Sequence, residues 1–172
     1  MKIKTGKKIL DVTCGGRSIW FNKQHPLALY CDKREVEYEQ TFGKAQPATR
    51  HIRVHPDVIA DFTDLPFEDN TFHLVVFDPP HIVSENGNNR WLTKAYGYYT
   101  SKDEALKSVV GGGVQECMRV LKPYGTLVMK WAETSIPTPD IIKAIGYTPL
   151  FGQKSGKKSG TNWMCFMKEP DE

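Results

Sequence analysis

The most constraining stretch of this 172-residue chain is Leu74-Val75-Val76-Phe77, followed at once by Asp78-Pro79-Pro80-His81. A run of apolar, β-branched and aromatic residues with no polar alternation fits a strand covered on both faces of a parallel sheet. Proline has no N–H with which to continue a ladder, so the strand ends at Asp78. The residue before each proline is held extended. A carboxylate, a flat ring and free carbonyls therefore stand in a stiff turn at the strand's C-terminal edge. That edge is where open α/β sheets take their ligands.

The same arrangement recurs along the chain. Ile9-Leu10 ends at Asp11, Leu27 to Cys31 ends at Asp32, and Val58-Ile59-Ala60 ends at Asp61. Four acids, Asp11, Asp32, Asp61 and Asp78, are thereby brought towards one cleft. After the first strand, Thr13-Cys14-Gly15-Gly16 forms a tight turn that lets backbone approach a ligand closely, and Ser18 is placed to cap a helix from Ile19. The full G-x-G-x-x-G fingerprint is missing because Arg17 stands where a further glycine is expected, which favours a ligand without a pyrophosphate. Asp32 follows at the spacing at which an acid meets ribose hydroxyls.

Residues 33–54 are polar, and Pro47 and Pro56 limit any helix, so a short helix plus loop is expected there. From Ile82 to Thr100 the chain reads as a long binding loop or lid. It holds Trp91, Tyr96, Tyr98 and Tyr99, which either stack on a base or fold down as a satellite core. Ser101 to Glu104 has capping-box spacing and opens a helix interrupted at Gly111-Gly112-Gly113. A strand at 126–131, a short helix at 139–144 and final strands at 147–151 and 162–167 complete one domain, 1–172. The lysine-rich loop with Lys154, Lys157 and Lys158 is either a solvated loop or a phosphate contact.

The net charge of +3 is too small to argue by itself for nucleic acid. Four scattered cysteines with no C-x-x-C pair point to reduced cysteines of a cytoplasmic protein and to no metal site. No apolar run reaches the roughly 18–20 residues of a membrane span, and the N-terminal apolar stretch is too short for a signal peptide.

Asp11-Val12-Thr13-Cys14-Gly15-Gly16, Asp32, Asp61 to Phe67, Asp78-Pro79-Pro80-His81 and Val120 to Gly125, in that order, resemble the class I S-adenosylmethionine-dependent methyltransferases. Asp78-Pro79-Pro80-His81 is similar to the (Asp/Asn)-Pro-Pro-aromatic motif of amino-directed members, with His81 in place of Tyr, Phe or Trp. The compact chain is similar to small phage and prophage stand-alone enzymes. The resemblance implies a seven-stranded, mostly parallel α/β sheet of order 3-2-1-4-5-7-6, with strand 7 antiparallel and helices on both faces. It implies S-adenosylmethionine as cofactor, with S-adenosylhomocysteine as product. Asp11, Thr13, Cys14, Gly15, Gly16, Asp32, Asp61, Phe62 and Asp78 would hold it.

On this reading Asp78, Pro79, Pro80 and His81 are the catalytic turn. Asp78 and the Pro79 carbonyl accept the two hydrogens of a planar amine, so its lone pair can leave conjugation, while the flat group at 81 holds the ring. Trp91, Tyr96, Tyr98, Lys154, Lys157 and Lys158 are the expected substrate contacts. Adenine N6 in nucleic acid is the expected target, RNA ahead of DNA, because a duplex base must flip out at a cost of a few kcal/mol. A protein partner for substrate recognition is compatible with so small a chain. The alternatives are methylation of a small molecule or a protein side-chain amide, and a non-catalytic cofactor-binding scaffold.

Overall fold

The computed structural model describes residues 2–42, 48–86, 91–155 and 160–170. Its centre is the expected buried strand, which extends further back than the apolar run alone. This is β6 (Phe72–Phe77), flanked in parallel by β1 (Ile9–Asp11) and β7 (Leu121–Ala132). Outside β1 lie β2 (Ala28–Asp32) and the short β5 (Val58–Ile59), also parallel. Outside β7 lies β9 (Thr161–Met167), antiparallel to β7 and to the edge strand β8 (Phe151–Ser155). The sheet order is β5-β2-β1-β6-β7-β9-β8. Leaving aside a separate hairpin, this is the expected 3-2-1-4-5-7-6 order with its last strand reversed.

That hairpin corrects the expectation for residues 33–54. Instead of a helix and loop, β3 (Val36–Phe42) and β4 (Ala48–Val54) pair antiparallel, with Tyr38 opposite Ile52 and Glu37 opposite Arg53. It rises just beyond the C-terminal end of β2.

A second correction concerns the helix expected after the glycine turn, which does not form. Residues 13–27 run through successive turns. Ile19-Trp20-Phe21 are adjacent rather than spaced at helical intervals, and Pro26 closes the stretch. Trp20 is instead pinned across the sheet, its Nε1 donating to Asp11 Oδ2 at 2.7 Å and its ring meeting Tyr30 edge-on at 5.1 Å.

The remaining helices lie in the second half. The segment 82–100 is not a bare loop: α1 (Trp91–Tyr96) forms within it, and Val83 bridges to Tyr99 at its base. Ser101 caps α2 (Lys102–Leu106) by accepting from Glu104 N at 3.0 Å. The three glycines do not interrupt the helix. They sit in a widened π-helical segment, Lys107–Val114, that continues into α3 (Gln115–Val120). There a β-carbon on Gly113 would lie 2.7 Å from Phe77 Cζ and 2.9 Å from Phe62 Cδ2, so glycine is what lets this helix touch the sheet. α4 (Thr138–Ile145) follows β7 and ends at Gly146, in left-handed conformation.

Residues of α2, the π-helical segment, α3 and α4 share one core with Val75, Phe77, Leu127 and Met129. On the opposite face, among the described residues, Cys14 and Trp20 from the turns pack with Ala28 and Tyr30. The helical segments of the described residues that join the larger core are α2, the π-helical segment, α3 and α4. Among the described residues, no helix is long and apolar enough to cross a membrane.

Candidate functional site

A pocket opens at the C-terminal edge of β1, β2 and β6, lined by the Thr13–Gly16 turn, Asp32, Phe62, Asp78 and Pro80 and roofed by Tyr96, Tyr98 and Tyr99. At this edge the ends of β1 and β6 are tied by Val12 N–H donating to the Val76 carbonyl at 3.1 Å and by Asp78 N–H donating to Thr13 Oγ1 at 2.9 Å. The glycine turn and the proline turn are therefore held in fixed relation.

The acids have separate roles. Asp32 is buried, with Oδ2 accepting from Gly15 N at 3.1 Å and Oδ1 accepting from Arg34 N at 3.0 Å and Nε at 3.1 Å. Gly15 has φ +48°, which glycine adopts without strain. Asp11 lies beneath the turn, and burial pushes its carboxyl up to about 7 against the opposing hydrogen bonds from Trp20 and Thr13. The charges of Asp78 and Asp32 add to that rise. Asp61 does not line the pocket: its Oδ1 accepts from Thr63 N and Oγ1, at 3.0 and 2.8 Å, and shapes the turn that presents Phe62. Burial raises the Cys14 thiol to about 12, so it is a wall and not a nucleophile.

Asp78 has a partner that sequence reasoning missed. Lys130 Nζ donates to its Oδ2 at 2.6 Å, both side chains being largely shielded from solvent. The signal was present, since the register pairs Phe77 with Met129 and so brings the next residues of the two strands together. His81 is half-buried 6.3 Å from the Tyr96 ring, and burial holds its imidazole below the usual range. The neutral ring is then the form present at neutral pH. Gly97, at φ +79°, runs so close to Pro80 that a β-carbon would lie 3.2 Å from its Cγ, which seats the end of α1 on the proline turn.

Arg17, which stands where a glycine was expected, adopts φ +54° as a glycine would. Its guanidinium turns outward over the Tyr30 ring at 3.8 Å and bonds the His55 carbonyl and Asp57. The missing glycine therefore does not obstruct the pocket. Arg34 is the other residue not anticipated, and it reaches from Asp32 to the carbonyls of Lys94 and Ala95 at 3.2 and 3.5 Å, fastening α1 over Asp32.

Of the expected substrate contacts, Tyr96 and Tyr98 line the pocket. Trp91 does not; its ring packs edge-on against Phe42 at 5.3 Å and Tyr38 at 6.1 Å, anchoring α1 to the hairpin. Lys154 lies on β8 opposite Asn162, near the end of the strand pair, while Lys157 and Lys158 lie outside the described residues.

The pocket suits S-adenosylmethionine. It offers a shielded acid for the ribose, a flat phenyl face at Phe62 for the adenine, and backbone at Gly15 and Gly16 that a ligand can approach. Asp32 and Asp78 also line it, each carboxylate already paired with a cation, Arg34 and Lys130 respectively. No protein-family model matches the chain. A demethylmenaquinone methyltransferase of Staphylococcus haemolyticus (strain JCSC1435) is 26% identical over 172 residues, covering 95% of this chain and 62% of that protein. The chain thus spans less than two thirds of the curated relative it matches. Among solved structures, the PH0226 protein of Pyrococcus horikoshii OT3 superposes with TM-score 0.55 at 15% identity, over 94% of this chain and 82% of that one. The N-methyltransferase NodS of Bradyrhizobium japonicum WM9 superposes with TM-score 0.52 at 10% identity, over 95% and 86%. What these comparisons establish is the fold, which this chain shares with methyltransferases of class I.

Proposed function

We propose that the protein is an S-adenosylmethionine-dependent N-methyltransferase acting on an exocyclic amino group of a nucleic-acid base, adenine N6 first and RNA ahead of DNA. The observation that carries this reading is the fixed placing of Asp78-Pro79-Pro80-His81 against the pocket of Asp32 and Phe62, through the bond from Asp78 N–H to Thr13 Oγ1. Bound in that pocket, the cofactor would supply an electrophilic methyl group on a sulfonium.

The protein's own residues act on the amine. Lys130 takes Asp78 Oδ2 and leaves Oδ1 as acceptor for one amine hydrogen. The Pro79 carbonyl is the second acceptor, held by a turn that loses little entropy on binding. With both hydrogens engaged, the nitrogen lone pair turns out of the ring plane. His81 and Tyr96 offer neighbouring rings against which a base is held. Transfer would form the nitrogen–methyl bond as the methyl–sulfur bond breaks, with S-adenosylhomocysteine leaving and the nitrogen giving up one proton to water.

Asp78→Ala is expected to abolish transfer, by at least about a hundredfold, while calorimetry still detects cofactor binding. Retained turnover would remove Asp78 from this role. A second reading, transfer to a small molecule, is favoured by the small-molecule substrate in the name of the 26%-identical relative. Salt separates the two: turnover on a phosphate-bearing substrate weakens steeply as salt rises, whereas a neutral small substrate is barely affected.

A further inference from the structure

The helix α1 is six residues long and carries Tyr96 at its end. A helix that short does not hold its shape unaided, and its last carbonyls have no further turn to bond to. The Thr93 carbonyl accepts from Gly97 N at 2.9 Å, while the next two carbonyls take a side chain instead. Arg34 Nη1 donates to Lys94 O at 3.2 Å, and Nη2 donates to Ala95 O at 3.4 Å. A cation in this place also meets the negative end of the helix dipole.

The same guanidinium grips Asp32. Asp32 Oδ1 accepts from Arg34 N at 3.0 Å and from Arg34 Nε at 3.1 Å. Asp32 Oδ2 accepts from Gly15 N at 3.1 Å and has Arg34 Nη2 at 3.5 Å. A carboxylate offers about four lone-pair sites. Three are filled at ordinary hydrogen-bond distance, and the fourth lies under Nη2. A ribose diol needs one site on each oxygen, so it competes with the Arg34 side chain for Asp32. The two backbone bonds, from Gly15 and Arg34, need not break.

The roof carries a matching constraint. The Tyr96 ring stands 6.3 Å from that of His81, with the planes tilted by 40°. A base lying between two rings needs parallel planes roughly 7 Å apart, twice the ~3.5 Å contact distance of carbon atoms. While Arg34 holds α1 in this position, the gap does not take a base.

We propose that Arg34 is a positioning residue that keeps the base site shut until the ribose site is filled. The ribose diol takes Asp32 from the Arg34 side chain, α1 loosens, and Tyr96 moves off His81 to admit the base. Cofactor therefore binds first and target second. The inference rests on the reading of the pocket as an S-adenosylmethionine site and of His81 with Tyr96 as the base site.

Hydrogen exchange on the full chain, with and without S-adenosylhomocysteine, reads this coupling. Saturating ligand is expected to speed exchange of the α1 amides at least roughly threefold, although it fills the pocket that α1 roofs. Arg34→Met is expected to exchange fast there with or without ligand. By calorimetry it is expected to bind S-adenosylhomocysteine roughly three- to tenfold more tightly than the wild type, because no side chain competes for Asp32. The same gain is expected for adenosine and not for dideoxyadenosine, which lacks the diol; a purely structural role of Arg34 would not produce that contrast. A wild type that binds no S-adenosylhomocysteine would overturn the cofactor reading and this inference with it. Binding that slows exchange in α1, or an Arg34→Met that binds no more tightly, would overturn the inference alone. The wild-type exchange result is decisive even where the variant fails to fold.

Discussion

At the scale of single residues, the site turns on how one carboxylate is held and another is neutralised. Lys130 fixes Asp78 from the neighbouring strand. Lys130→Met should therefore cut kcat by roughly ten- to thirtyfold, equivalent to about 1.4–2 kcal/mol, with cofactor affinity little changed. Lys130→Arg should recover part of the loss, and steady-state kinetics with calorimetry separate the two effects.

Asp11 makes a pH prediction. Its carboxyl is raised from 3.8 to about 7, so between those values the folded chain holds a proton that the unfolded chain has released. That stabilisation is complete below about pH 4 and is lost as the pH rises through 7. Asp11→Asn should flatten this slope in denaturant titrations. A cationic cofactor near Asp11 favours its ionised form. The affinity ratio of S-adenosylmethionine to uncharged-sulfur S-adenosylhomocysteine should therefore rise roughly three- to tenfold from pH 6 to 8. A flat ratio would mean that Asp11 does not sense the sulfonium.

At the scale of elements, the buried strands were legible because a strand covered on both faces is written as an uninterrupted apolar run, as in Leu74 to Phe77. The proline turn and the glycine turn were legible because few other conformations suit those residues. The β3–β4 hairpin was missed although Val36-Glu37-Tyr38-Glu39-Gln40-Thr41-Phe42 alternates with period two. Its alternation carries Glu37 and Glu39, which together with Glu35 just before the strand meet His51, Arg53 and His55, and polar strands imitate loops. The glycine triplet was read as a break because glycine weakens helices in isolation. Packing decides otherwise: Gly113 admits Phe62 and Phe77, whose rings lie edge to face at 5.1 Å. Gly113→Ala should cost about 1–3 kcal/mol and weaken cofactor binding through Phe62. Gly111→Ala, with nothing within 4 Å of the added carbon, should be neutral or stabilising by up to about 1 kcal/mol. Thermal melts of the two variants test the contrast.

At the scale of the whole molecule, the sheet order could be expected from the order of the motifs, but the content of the links from β1 to β2 and from β2 to β5 could not. The link from β1 to β2 is a set of turns around Trp20, and the link from β2 to β5 carries a hairpin, so neither contributes a helix among the described residues. The edge that carries the pocket is unaffected, because its geometry depends on strand ends and on the bond from Asp78 to Thr13. Arg34 and the Trp91 packing then join the hairpin, α1 and the pocket into one rim.

N6-methyl transfer to RNA is tested most directly by incubating the protein with methyl-labelled S-adenosylmethionine and total RNA, DNA, protein and small-molecule fractions, followed by nucleoside analysis. Label is expected in RNA as N6-methyladenosine and is lost with Asp78→Ala. Label confined to protein or to small molecules, or label in RNA that survives Asp78→Ala, would contradict this expectation.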